Sequence, residues 1–483
     1  MKSKLSSILL TCFLAVMLPF DLSAQNVTTV YRIESVEYRI EGRTREKALA
    51  DRLEIAIGRE FRDLASLEAY VADRRQVLVN QRVLEDAELL YSIGEPVDSV
   101  LPVRLTVRAR DTWNLIILPY PKYSTNDGLL LSMRLRNYNF LGTMETLYLD
   151  LDYRYDESGN QSFGIGTEFT YPFQSAGLDW SVHTEQDFAV SLAGLISYVG
   201  QQTLRLHLGE DSFKRTIRVG QKFLWNQYAE DDADLDHLVL HSLTGISTDF
   251  RLLSLGGLGY LTLTPDLEAG WKYRVDGTEI SPDRKGPYVT GSYSLGAGRV
   301  DWSGNLRQGT LVSLYNAYTY NLQSTDWTIV AIAQARHHES WFGNRLGLNS
   351  RLTLYGSFLG VASDIGGYIR GIPDAYIDAD YAVFANLDLP IRLFDFKPSI
   401  LIKKKWFDFE AHASPFVDAA LVRPGEAADF EPYLCAGLEL FGFLKQARSI
   451  YARLSLGVDA LGYLDTRSLS GNYELFFGLG HDY

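Results

Sequence analysis

From about residue 126 to its end, the chain repeats one pattern: runs of roughly ten residues in which apolar and polar side chains alternate, separated by short turn sequences. Successive strand residues point to opposite faces, so each run has one apolar and one polar face. In "TLYLDLDYRYDE", Leu147, Leu149, Leu151, Tyr153 and Tyr155 share one face, and Tyr148, Asp150, Asp152 and Arg154 share the other. "ESGN" turns the chain. In the next run Phe163, Ile165, Phe169, Tyr171 and Phe173 oppose Gly164, Gly166 and Glu168. The alternation returns in "YARLSLGVDALG" and in the final "YELFFGLGHDY". About ten residues is the length that a tilted strand needs to cross a bilayer.

A soluble β-sandwich also alternates, but its apolar faces point inward and need no surplus of aromatics. This chain has 29 Tyr and 24 Phe, with 13% aromatic residues overall. Aromatic girdles at both lipid–water interfaces are a property of transmembrane barrels. After the N-terminal segment, no stretch reaches the roughly 18 uncharged apolar residues of a spanning helix. The expected fold is therefore an all-β transmembrane barrel. A sheet in lipid must close, because an open edge leaves backbone groups unpaired. The runs between 126 and 483 number about 16 or 17, with ambiguous boundaries between 188 and 275. Outer-membrane barrels close with an even number of strands, which selects about 16.

The first 24 residues form a secretory leader. Lys2 and Lys4 precede an apolar run, Ile8 to Phe20, and "LSA" ends it with small residues. Cys12 lies inside that run, leaving Cys435 as the one cysteine of the exported chain, so no internal disulfide is expected. The net charge of −14 argues against nucleic acid as a partner.

Residues 25–112 form a separate α+β unit. "YRIESVEYRIEG" alternates like a strand. Thr44 is the candidate N-cap of a helix bearing Leu49, Leu53, Ala56 and Ile57, with Gly58 ending it. Ser66 is the candidate cap of a second helix with Leu67, Tyr70, Val71, Val77 and Leu78 on one face. "VLEDAELLYSI" and "LPVRLTVRAR" follow as strands. In the latter, Val103, Leu105 and Val107 face one side, and Arg104, Thr106 and Arg108 face the other.

Enzyme chemistry has no foothold. There is no Gly-x-Ser-x-Gly elbow and no His-Glu-x-x-His motif. His337 and His338 are adjacent on a strand and cannot converge on one metal. The acidic run Glu230 to Asp236 lacks the spacing of a calcium loop and is expected to be a solvated outer loop. No catalytic residue, metal or cofactor is expected.

The layout resembles the POTRA-plus-barrel outer-membrane superfamily, which includes the BamA/TamA assembly factors, the two-partner secretion translocators and the mitochondrial sorting-and-assembly barrel. Residues 25–112 resemble one POTRA domain, and residues 113–483 resemble the barrel. Asn137, Asn139, Phe140, Leu141 and Gly142 resemble the family's turn between the first two strands. Ile369-Arg370-Gly371-Ile372 resembles the Val-Arg-Gly-aromatic motif of a loop, here at about 360–382, that folds into the lumen between the eleventh and twelfth strands. Ile372 replaces the family's aromatic. Phe416, Asp418 and Ala420 resemble Phe-x-Asp-x-Gly on the thirteenth strand, with Ala420 in place of Gly. The resemblance implies that Arg370 pairs with Asp418 inside the barrel. Gly478 and the terminal Tyr483 resemble an aromatic C-terminal strand signal, with His481 at a position that is usually apolar.

The resemblance implies an outer-membrane protein of a Gram-negative-type bacterium, with the POTRA unit in the periplasm. It implies assembly of barrel proteins through a weak seam between a first strand at about 129–138 and a last at 473–483. The partners would be the lipid bilayer, unfolded barrel clients held by β-augmentation on the POTRA sheet, and periplasmic accessory proteins, with no nucleic acid. Translocation of a dedicated secreted partner is the alternative; a passive porin fits the POTRA-like unit poorly.

Overall fold

In the computed structural model, the described residues are 30–480 apart from 82–83, 98–99, 112–113, 126–127, 157–158, 211–212, 227–237, 256–257, 274–285, 359–364, 373–376, 400–407, 426–427 and 446–450. The leader at 1–24, the acidic run at 230–236 and Tyr483 lie outside them.

The N-terminal module runs β1 (Val30–Glu41), α1 (Glu46–Leu53), β2 (Glu60–Phe61), α2 (Leu64–Asn80), β3 (Leu84–Ile93) and β4 (Val100–Asp111). Its sheet has the order β2-β1-β4-β3, with β1 and β4 parallel. The alternation in β4 sets the core. Val103, Leu105 and Val107 are buried against Leu49 and Leu53 of α1 and Leu67, Val71 and Leu78 of α2.

Both helix boundaries differ from the sequence reading. Helix α1 stops at Leu53, with Glu54 left-handed at φ 48°, so Ala56 and Ile57 are not helical. Tertiary pairing wins there: Gly58 donates to the Ile33 carbonyl at 2.8 Å, and Ile33 donates to Arg59 at 3.0 Å, forming the short strand β2. Thr44 caps no helix, because its hydroxyl donates to Asp111 at 2.5 Å instead. Asp63 caps α2 by accepting from the Ser66 N–H at 2.7 Å, which moves the start upstream of Ser66.

The remaining strands form a closed antiparallel barrel. Among the described residues it has eighteen strands rather than about 16. It comprises Leu115–Ser124, Gly128–Asn137, Leu147–Tyr155, Gln161–Ser175, Leu178–Ser191, Ile196–Glu210, Phe213–Asn226, Leu238–Ser254, Tyr260–Tyr273, Gly286–Ser303, Leu306–Asn321, Trp327–Trp341, Leu346–Phe358, a broken strand (Tyr381–Asp388 with Ile391–Phe396), Phe409–Arg423, Glu431–Leu444, Tyr451–Asp459 and Tyr473–Gly480. The halves of the broken strand flank Leu389-Pro390 and lie between the same two neighbours. The first strand is Leu115–Ser124, not 129–138. Pro119 and Pro121 disguise it, since proline normally argues against a strand.

The two faces of the barrel differ as lipid and lumen require. Ile117, Leu131, Met133, Leu151 and Ile165 are exposed outward. Arg136 grips Asp150 inside, and Arg218 donates to Asp266 at 2.5 and 2.8 Å and to Glu268 at 2.8 Å. An apolar belt outside paired charges, on a sheet with no free edge, is the arrangement of a membrane-spanning barrel.

The Asn137–Gly142 segment joins the second and third strands, one hairpin later than expected, and it docks the module. Arg45 donates its N–H to the Gly142 carbonyl at 2.8 Å, and Asn139 donates to Thr44 at 2.6 Å and Asp111 at 3.2 Å. Gly142, at φ 76°, lies so close to the Arg43 carbonyl that a Cβ would sit 2.0 Å from it. Met144 of the same turn is buried in the module core. Farther round the rim, Glu54 pairs with both Lys214 and Arg251, Asp73 with Arg299 at 2.7 Å, and Lys47 with Asp179 at 3.1 Å.

Partial burial pushes the Glu54 carboxyl up, but hydrogen bonds from Lys214 and Arg251 outweigh it and hold it below the usual carboxylate range. Docking by Glu54 is therefore present at neutral pH and is lost as acid protonates the carboxylate, below the usual carboxylate range. Glu54→Gln should broaden the distance distribution between spin labels at Ile57 and Leu255 at neutral pH, as should high salt in the native protein. An unchanged distribution would mean that the Asn139 turn alone fixes the module.

Candidate functional site

The chain enters the lumen between the thirteenth strand (Leu346–Phe358) and the fourteenth. Counted from the N-terminus this is two strands later than the eleventh–twelfth loop of the resemblance; five strands follow the loop. Ile365, Ile369 and Ile372 of the loop bury together with Ile377, Ala382, Phe384, Ala420, Val422 and Cys435. Ile372 thus packs in an apolar cluster, while an aromatic pair forms nearby, with Tyr368 stacked on Phe384 at 5.1 Å. This apolar wedge orients the polar tip beside it.

Arg370 is the centre of that tip. It donates through Nε and Nη2 to the two carboxylate oxygens of Asp418, at 2.9 and 2.7 Å, and its backbone N–H adds a third bond to Asp418 at 2.9 Å. Its Nη1 donates to Asp388 at 2.6 Å and lies 3.4 Å from Glu439. The guanidinium carbon sits 3.8 Å from the centroid of the Phe416 ring. The Asp418 side chain is 0% exposed and that of Glu439 is 2% exposed. Glu439 also accepts from Arg453 at 2.5 Å and from Ser455 at 3.2 Å. Arg351 and Asn386 donate to the Tyr368 carbonyl at 3.2 and 3.0 Å, fixing the loop one turn earlier. Only an arginine fork reaches two acids and a ring at once.

Strand register explains how these groups converge. Asp388 faces Phe416, Phe416 faces Gly437, Gly437 faces Gly457, and Gly457 faces Glu474. One row thus crosses five strands, with acids at both ends and glycines between. A Cβ on Gly437 would collide with the Phe416 ring, so that glycine lets the ring lie flat beneath Arg370. Gly371 has φ 97°, open to glycine at little cost. Its backbone rests on Gly457, where an added Cβ would come within 2.8 Å of it. The Gly371 N–H donates to Glu474 at 2.9 Å. Glu474 lies on the eighteenth strand, so the loop holds the strand that closes the barrel.

Of the residues singled out from sequence, Ile369, Arg370, Gly371, Ile372, Phe416, Asp418 and Ala420 meet in this one site. Val417 points outward and is exposed, while Phe416, Asp418 and Ala420 are buried. Gly478 lies apart, in the closing strand, where it leaves space for the Phe476 ring and the Tyr120 hydroxyl. His337 and His338 bond to different neighbours, Thr310 and Asn349. Asp388, Glu439, Gly457 and Glu474 were missed. The available signal was an acid at an inward position of an otherwise apolar strand, as in "YAVFANLD" and "LCAGLELFG". Among the described residues, no group of three or more His, Cys, Asp and Glu could hold a metal ion.

No family model and no curated protein matches the chain. Solved structures with a similar fold include CdiB from Acinetobacter baumannii, with a TM-score of 0.49 and 13% identity, covering 94% of this chain and 74% of that one. BamA from Haemophilus ducreyi lacking POTRA domains 1–3 aligns with a TM-score of 0.39 and 13% identity over 92% of this chain and 84% of that one. CdiB from Escherichia coli aligns with a TM-score of 0.40 and 9% identity over 96% of this chain and 92% of that one. The chain's own structure is a closed antiparallel β-barrel with an apolar outer belt. BamA belongs to the superfamily that the motifs resemble. At these scores the overlays say nothing about what the site does, which rests on its own residues.

Removing Arg370 leaves three acids together in a confined space. Arg370→Ala should cost about 3–5 kcal/mol of loop seating, the usual loss when one partner of a buried ion pair is deleted. Asp418→Ala should act similarly, and the double variant should resemble either single one in the yield of heat-modifiable barrel. The reversed pair, Arg370→Asp with Asp418→Arg, should recover little, because Asp388 and Glu439 would repel an aspartate at 370. Good recovery would show an isolated pair rather than a shared node.

Proposed function

We propose that this protein assists the assembly of β-barrel proteins into the outer membrane, using the seam between its first and last strands. The observation that carries this reading is the seam itself. Among the described residues, Tyr473–Gly480 is in backbone register with Leu115–Ser124 only at Phe476 with Ser124 and Phe477 with Tyr123, and the Thr125 N–H donates to the Leu475 carbonyl at 3.3 Å. On its other side the same strand pairs along its whole length, from Tyr473 to Gly480. The paired end lies at Ser124, and the other end of the first strand, Leu115, is the one that follows the N-terminal module.

The module suits capture of an extended client. It is POTRA-like in its order of elements, and β3, Leu84–Ile93, is the edge strand of the sheet, with the Leu89 carbonyl taken by Arg75 at 2.9 Å. Such an edge takes up a strand by β-augmentation. The client's strand would then pass to the open half of the seam, with no cofactor, driven by its own folding. Unfolded barrel proteins are the proposed partners, with the module in the periplasm. Translocation of a secreted partner through the lumen would require the Ile365–Ile372 loop to leave its seat on Asp388, Asp418, Gly457 and Glu474, which supports assembly as the first reading.

Tyr120→Cys with Gly480→Cys, once trapped as a disulfide in a Cys435→Ala background, should lock the module-side half of the seam. Cells relying on the locked protein should lose barrel proteins from their outer membranes and recover them on reduction. Undiminished assembly by the locked form would rule out the seam. Loss of one exported protein, with barrels intact, would favour translocation.

A further inference from the structure

Pro119 and Pro121 lie in the first strand, and their spacing has a physical meaning. Backbone groups of alternate strand residues point to alternate neighbours. Two hydrogen bonds fix which residues face which way. Tyr138 of the second-strand turn donates to the Asn114 carbonyl at 2.9 Å, so even-numbered residues face the second strand. Thr125 donates to Leu475 of the last strand, so odd-numbered residues face the seam. The pairing with the second strand runs from Leu115 to Ser124 without a register shift, so the parity holds throughout. Pro119 and Pro121 are both odd. Both therefore stand where an N–H would otherwise point across the seam, and proline has none.

The seam register makes the consequence specific. With Phe476 opposite Ser124 and Phe477 opposite Tyr123, continued pairing would set Leu479 against Pro121 and His481 against Pro119. Among the described residues, pairing stops before the first of these. Leu479 still pairs with Ala452 on its other side, so the last strand continues as a strand alongside the prolines. Natural sheets use proline to blunt exposed edges. Here the blunted edge lies inside a barrel that would otherwise be free to zip shut.

We propose that Pro119 and Pro121 act as a stop that confines closure to the far end of the seam and keeps the module-side half of the first strand available to an incoming strand. In that half the first strand offers carbonyl acceptors throughout but N–H donors only at Leu115 and Ile117. A segment docking there is held mainly through its own N–H groups, and its register is set by the Leu115 and Ile117 donors before the prolines. The use of this edge by a client rests on the assembly reading above; the stop itself does not.

Disulfide trapping reads the stop directly. In a Cys435→Ala background, Ser124→Cys with Phe476→Cys reports the closed end, and Tyr120→Cys with Gly480→Cys reports the next facing pair beyond Pro121. In the otherwise native chain, the 120–480 pair should crosslink at least tenfold more slowly than the 124–476 pair. With Pro119→Val and Pro121→Val added, the two rates should converge. Equal rates without the valines, or a slow 120–480 pair with them, would overturn the stop. If the double valine variant fails to fold, Pro121→Val alone tests the first step and should speed the 120–480 pair by itself. A variant that zips shut yet assembles barrels normally would leave the stop standing and defeat the assembly reading instead.

Discussion

Lipid offers no hydrogen bonds, so a sheet that crosses it must close, and this barrel closes on very few bonds. That single constraint organises the rest of the chain. Seventeen of the eighteen junctions are ordinary strand neighbours in sequence. The eighteenth brings together residues more than 350 positions apart, Ser124 and Phe476, and little backbone pairing holds them. What the seam lacks in ladder bonds is supplied from inside, where Gly371 of the lumen loop bonds Glu474 of the closing strand. The Arg370 node is then a support for the seam as well as an anchor for the loop.

The node has to balance charge as well as bond. Arg370, Arg351 and Arg453 stand among Asp388, Asp418 and Glu439, and the acids are more deeply buried than their partners. Buried ion pairs add little net stability because desolvation offsets attraction, but losing one member leaves an uncompensated charge. Such a cluster specifies one loop position over its alternatives. The glycine floor at Gly437 and Gly457 contributes the geometric half of that specification by admitting the ring of Phe416 and the backbone of Gly371.

The module is joined to the barrel by two kinds of contact. The Asn139 turn gives it a fixed point through directional hydrogen bonds and the buried Met144. The rim ion pairs of Glu54, Asp73 and Lys47 lie on other strands of the barrel and are partly solvated. Salt and protonation weaken the second kind far more than the first.

Strand alternation by itself determined the barrel, because period-2 patterning needs only neighbouring residues to be legible. The same held for the core face of β4, where Val103, Leu105 and Val107 alternate with charge. The tally of about 16 or 17 runs after residue 126 agrees with the seventeen strands found there. The choice of 16 fell short because the strand that restores even parity, Leu115–Ser124, carries two prolines. Arg370, Gly371 and Asp418 were legible only through resemblance to a known motif. Asp388, Glu439, Gly457 and Glu474 were not, since each comes from a different strand. Which inward acid faces which glycine depends on register across five strands. That register is a tertiary quantity, fixed by hairpins and closure together, and it also decided that Pro119 and Pro121 look across the seam rather than into a neighbour.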